Sequence, residues 1–192
     1  LANADFSDPS ADVDPLTIRF CETLGYSRAD IEKTLYDPET AAVITAADPG
    51  DALRSYFRKH NMTQELAYFN QIDGAIRQSA TATDAVARLQ RVEQAVQADR
   101  SLNPASQESL LQGIAVGKHS ATYWYDHAQQ GARSPWSIRA VAGTSTPRAA
   151  ALKINWWQVV VADVSGGIKG GVKGAVKASL HNLVDQVIDQ IF

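Results

Sequence analysis

Apolar residues recur at helical spacing along most of this chain, and almost nowhere do they alternate with polar ones. Leu66, Phe69, Ile72, Asp73 and Ile76 share one helical face, and Val86, Leu89, Val92 and Val96 share another. No alternating run carries the Asn-Gly or Asp-Gly turn that would close a strand hairpin. Helix starts are marked by a capping side chain before proline at Asp14-Pro15, Asp37-Pro38, Asp48-Pro49, Asn103-Pro104 and Thr146-Pro147. There the side-chain oxygen accepts from first-turn amides, and proline at the first helical position gives up no needed N–H. Ser27 with Asp30, Thr63 with Glu65 and Thr83 with Asp84 mark three more starts. The predicted helices cover 15–24, 28–36, 38–47, 49–60, 64–79, 84–99, 104–130 and 147–191. The chain therefore reads as all-α, a multi-helix bundle of short proline-capped helices. The brief link at 80–84 makes its two flanking helices an antiparallel pair.

One domain is expected across 1–192, with a helical bundle at 1–130, a loop at 131–146 and a glycine-rich segment at 147–192. The loop holds Gly131, Ser134, Pro135, Gly143, Thr144 and Ser145, and Trp136 and Ile138 would pin it to the core. The C-terminal segment has a period of four. Gly166, Gly170, Gly174 and Ala178 form one small-residue stripe, and Gly167, Gly171, Ala175 and Ser179 form its neighbour. Ile168, Val172, Val176 and Leu180 make an apolar stripe, and Lys169, Lys173 and Lys177 a cationic one. Five glycines forfeit about 4–5 kcal/mol of helix propensity relative to alanine. Close packing of another backbone on the flat face is expected to offset that loss, the pattern of a glycine zipper. Gly166, Gly167, Gly170, Gly171, Gly174 and Ala178 are the candidate contact residues. A straight helix over 147–191 would be about 67 Å long, against a diameter of about 40 Å for a compact domain of this size. A kink is expected at Gly166-Gly167.

Charge changes this picture more than composition does. The net charge of −3 divides into −8 over residues 1–51, +1 over 52–130 and +4 over 131–192. Such a split suits docking of the two ends on each other, or a basic face meeting anionic lipid; plain solvated surface is the favoured alternative. The longest uncharged run nearby, Ile154 to Ala162, is nine residues, short of the roughly 20 needed to span a bilayer. Interfacial binding is compatible with an apolar stripe beside a lysine stripe. The single cysteine, Cys21, lies among Ile18, Phe20 and Leu24 and reads as a buried structural thiol. Leu1-Ala-Asn-Ala at the start fits a small-residue processing site, which favours an exported protein.

Candidate chemistry is sparse. The histidines are His60, His119, His127 and His181. His119 and His127 share a helix face with Tyr123 but would stand about 12 Å apart, too far to hold one metal. No metal and no cofactor is expected. Ser120, His119 and Asp126 contain the groups of a hydrolase triad, yet crowd one helix without a nucleophile elbow. No phosphate-binding glycine loop is present, and the lysine stripe is too short in an acidic chain to indicate nucleic acid. Asp163 stands out, because Val159, Val160, Val161 and Val164 surround it and Trp156-Trp157 precede it. A carboxylate there needs partners, and Trp124, Tyr123 and Tyr125 are candidates for a polar bridge.

Lys118-His-Ser-Ala-Thr-Tyr-Trp124, followed by Trp156-Trp-Gln-Val-Val-Val-Ala-Asp-Val-Ser-Gly-Gly-Ile-Lys-Gly-Gly171, resembles a loose set of uncharacterised bacterial proteins. These share a Ser-x-x-Tyr-Trp helix end, an Ala-Asp-x-x-Gly-Gly turn and a glycine-rich tail. The resemblance covers roughly the C-terminal 75 residues, and Lys169, Lys173 and Lys177 interrupt a tail that is elsewhere Gly and Ala. It implies a helical fold with Trp124, Trp157 and Asp163 as an architectural cluster, and no activity. The expectation is a non-enzymatic helical protein whose glycine face mediates packing or self-association as a homo-oligomer. The alternative is a membrane-active, bacteriocin-like exported protein, and the third reading is an enzyme with a site near Asp163 and His119.

Overall fold

The computed structural model describes the backbone of residues 9–130 and 154–191, and the side chains of 13–130 and 154–186. The expected loop at 131–146, the start at Thr146-Pro147 and the Leu1-Ala-Asn-Ala processing site lie outside the described residues. Among those described there are eight helices and no strand: α1 (Pro9–Thr23), α2 (Arg28–Leu35), α3 (Pro38–Ile44), α4 (Pro49–Lys59), α5 (Thr63–Arg77), α6 (Ala82–Ala98), α7 (Pro104–Gln130) and α8 (Trp156–Ile191). The protein is all-α.

Most starts are made as the sequence indicates. The N–H of Thr40 donates to Asp37 (2.8 Å), that of Asp51 to Asp48 (2.9 Å) and that of Ser106 to Asn103 (2.9 Å), each ahead of a first-turn proline. Ser27 accepts from the N–H of Asp30 at 3.2 Å. Three starts differ. Pro15 lies inside α1, which begins at Pro9. An interior proline costs a helix about 3 kcal/mol, and α1 offsets that by burying Val13, Thr17, Ile18 and Cys21. Thr81, and not Thr83, caps α6 by accepting from Asp84 N–H. The start of α5 has no side-chain cap, because Glu65 is buried and accepts from the Ser106 hydroxyl of α7.

The last helix is broken. Gly171 has φ +60° and ψ −151°, a backbone region open to glycine and costly for any other residue. The chain reverses there into a first arm (156–170) and a second arm (172–191). Gly166 meets Gly174, and Asn155 exchanges hydrogen bonds with Gln186, so the arms run antiparallel. The expected kink at Gly166-Gly167 is thus displaced to Gly171. Gly166 and Gly167 stay helical because their bare faces are occupied by neighbouring backbone.

The hairpin is the centre of the molecule. Val159 through Ile168 are all buried, with α7 laid along them and α1, α3 and α4 on other sides. Two apolar cores result. The larger joins α4–α7 to the hairpin through Phe57, Phe69, Ile72, Leu89, Ile114 and Val164. The smaller brings Ile18, Cys21, Ile31, Leu35 and Ile44 against Ala162 and Ala178.

Candidate functional site

Asp163 sits inside the first arm, 5% exposed, where α7 and the second arm meet it. One turn of α7 separates Ser120 from Trp124, so both point at the same spot. The Ser120 hydroxyl donates to Asp163 Oδ2, and the Trp124 indole N–H donates to the same oxygen at 3.1 Å. Oδ1 is buried and makes no hydrogen bond. Burial dominates the acidity of this group and pushes its pKa up to about 7. Ser120, Ser179 and Trp124 act in the opposite direction by favouring the anion. The Ser179 hydroxyl does so from nearby, without a hydrogen bond of good geometry to Oδ1.

Below this polar seam the backbones come unusually close. A Cβ on Gly166 would overlap the Gly174 carbonyl, and one on Gly174 would overlap Gly166. Gly167 faces α7, where a Cβ would fall 3.3 Å from the Gly113 Cα, and Gly170 faces α2–α3, where a Cβ would fall 3.0 Å from Thr34 Cγ2 and 3.4 Å from Thr40 Cγ2. On α7, Gly113 and Gly117 receive Ile168 and Val164, with a Cβ on Gly117 falling 2.7 Å from Val164 Cγ2. Ala178 is fully buried in the smaller core. Thus the small residues of the hairpin are occupied from three directions, by the opposite arm, by α7 and by α2–α3.

The lysine stripe is also occupied. Lys169 lies 3.6 Å from the centroid of Tyr56, Lys173 5.2 Å from that of Tyr26 and Lys177 5.6 Å from that of Tyr36. Lys177 is 5% exposed and pairs with Asp14 at 2.8 Å. The acidic beginning of the chain and its basic end do meet.

Trp157 is not beside Asp163. It lies under the Arg77 guanidinium, 4.4 Å from its ring centroid, while Arg77 and Arg54 bind the buried Asp73. Tyr123 packs on Trp124 and His127, and Tyr125 on Trp156, so neither tyrosine supplies the bridge to Asp163. His119 is exposed on α7. A cleft of about 220 Å³ opens between Tyr56, Glu65, Ser106 and Lys169, and Asp163 does not line it. Among the described residues no group of three His, Cys, Asp or Glu side chains is placed to share a metal ion, and no helix is long and apolar enough to cross a membrane.

Two features escape a reading of the sequence. Ser120 looks like a partner for His119 on its own helix, whereas it serves a residue 43 positions away. The spacing Gly113-x-x-x-Gly117-x-x-x-Ala121 is a small-residue stripe in plain view, overshadowed by the denser one at 166–178. Comparison with protein-family models, curated proteins and solved structures gives no match.

Proposed function

We propose that this is a non-enzymatic helical protein in which the glycine stripes serve close packing of a central hairpin. The carrying observation is the backbone contact of Gly166 with Gly174, which leaves no room for a methyl group. Self-association through the same stripes would require this hairpin to open, since the opposite arm, α7 and α2–α3 already cover them. The test is the double variant Gly166→Leu, Gly174→Leu. Overpacking at two such sites should lower stability by at least about 3 kcal/mol, or roughly 10 °C in melting temperature. Loss of an oligomer at unchanged melting temperature would favour self-association instead. If neither melting temperature nor mass in solution moved, the reading would fail.

A second reading, a membrane-active protein, is favoured by a separate observation. The most apolar stretch of the chain, 159–168, is wholly enclosed, and the helices over the lysine stripe are held there by charge and aromatic contacts. In this reading the enclosed hairpin is the part that meets lipid, and leakage of liposome contents should require it.

A further inference from the structure

Lys173 and Lys177 are fastened by one part of the chain. Lys173 donates to the Asp30 carbonyl (3.3 Å) and stands over Tyr26, while Lys177 pairs with Asp14 and stands over Tyr36. All four partners belong to α1, α2 and the residues that join or follow them. Apart from each other and α3, these two helices pack mainly on the hairpin. Beneath them lies only the smaller core, whose hairpin side is Ala162, Ala178 and part of Val176. Those hairpin side chains are small, and α2 reaches the hairpin through Thr34 at Gly170. On α7, Ile168 and Val164 are seated in the notches at Gly113 and Gly117.

We infer that α1 and α2 form a displaceable cover over a cationic helix face, and that an anionic membrane surface is what displaces it. The inference rests on the membrane-active reading and names the surface that reading needs. Once uncovered, the second arm presents Lys173 and Lys177 beside Val172, Val176 and Leu180, the layout of an interfacial amphipathic helix. Anionic headgroups offer the ammonium groups the same partner chemistry as Asp14 and the Asp30 carbonyl. The outside of the cover also suits lipid, since Phe20 on α1 and Leu24 just after it are each 50% exposed. Asp14 is 37% exposed, so the clasp itself is open to competing ions.

Cys21 supplies the readout. It is the only cysteine, it is 0% exposed, and it lies in the core beneath the cover. Its labelling by a disulfide reagent is followed for the wild type, Asp14→Asn and Lys173→Gln with phosphatidylglycerol–phosphatidylcholine vesicles, with pure phosphatidylcholine vesicles and with none. Binding is measured by co-sedimentation, and helicity is checked in parallel. Anionic vesicles alone should bind the protein and speed labelling about tenfold, the equivalent of one weakened ion-pair clasp. Asp14→Asn should label faster even without vesicles, and Lys173→Gln should bind them less. Binding and leakage with Cys21 still protected would overturn the cover and leave the membrane-active reading standing. Absence of binding by both wild type and Asp14→Asn would overturn the two together.

Discussion

Asp163 is a carboxyl whose acidity is set by where the chain puts it, and its pH dependence has a definite sign. Its folded pKa of about 7 lies above the ordinary value of 3.8. The folded state therefore binds more protons than the unfolded one between those values, and stability falls as pH rises through that window. The contribution is fully present below about pH 4 and lost above about pH 7; at about 1.4 kcal/mol per unit it is on the order of 4 kcal/mol. Asp163→Asn keeps the shape and carries no charge. Its melting temperature should exceed that of the wild type at pH 8, and the gap should close by pH 4. A constant gap across that range would mean the carboxyl is not titrating in the seam. The need for a partner at this residue could be read from the four valines around it, with Trp124 one of three candidates beside Tyr123 and Tyr125. Ser120 was hidden, because hydrogen bonding between distant segments leaves no trace in local spacing.

At the scale of helices, glycine has opposite meanings in different places. Gly113 of α7 lies against Ile168, whose side chain a Cβ would overlap, and Val164 O is 3.2 Å from that position. A Cβ on Gly74 of α5 would meet only the end of the Gln78 side chain, at 3.7 Å. Gly113→Ala should then destabilise by about 1–3 kcal/mol, whereas Gly74→Ala should stabilise by about 0.5–1 kcal/mol through helix propensity alone. Chemical denaturation of the pair checks this, and like signs would refute it. Helix existence was legible nearly everywhere, since caps and apolar faces are local properties. The position of the hairpin turn was not. A length argument demands a break somewhere in the last segment, yet several glycines satisfy it equally. The choice falls on Gly171 because Gly166 and Gly174 are needed opposite each other, which is a tertiary requirement.

For the whole molecule, the uneven charge offered docking of the two ends as an alternative to plain solvated surface, and Asp14 of α1 does pair with Lys177 of α8. The burial of 159–168 under helices from the other end of the chain was not legible, because apolar content does not specify which neighbours provide the enclosure. That arrangement also has a consequence for the order of events during synthesis. The element on which α1, α3, α4 and α7 all rest is the last of the eight helices to leave the ribosome. Until it emerges, α1, α2 and α3 lack the surface on which they mainly pack, whereas α5, α6 and α7 already have one another. A nascent chain arrested before residue 156 should be cleaved by protease throughout α1–α3, and should become resistant there in one step when synthesis runs on past the turn. Early resistance in the arrested chain would show that the helices had found a core of their own. Assembly of α1–α3 thus waits on α8: a ribosome that stalls before the turn leaves their apolar faces bare for chaperones to hold.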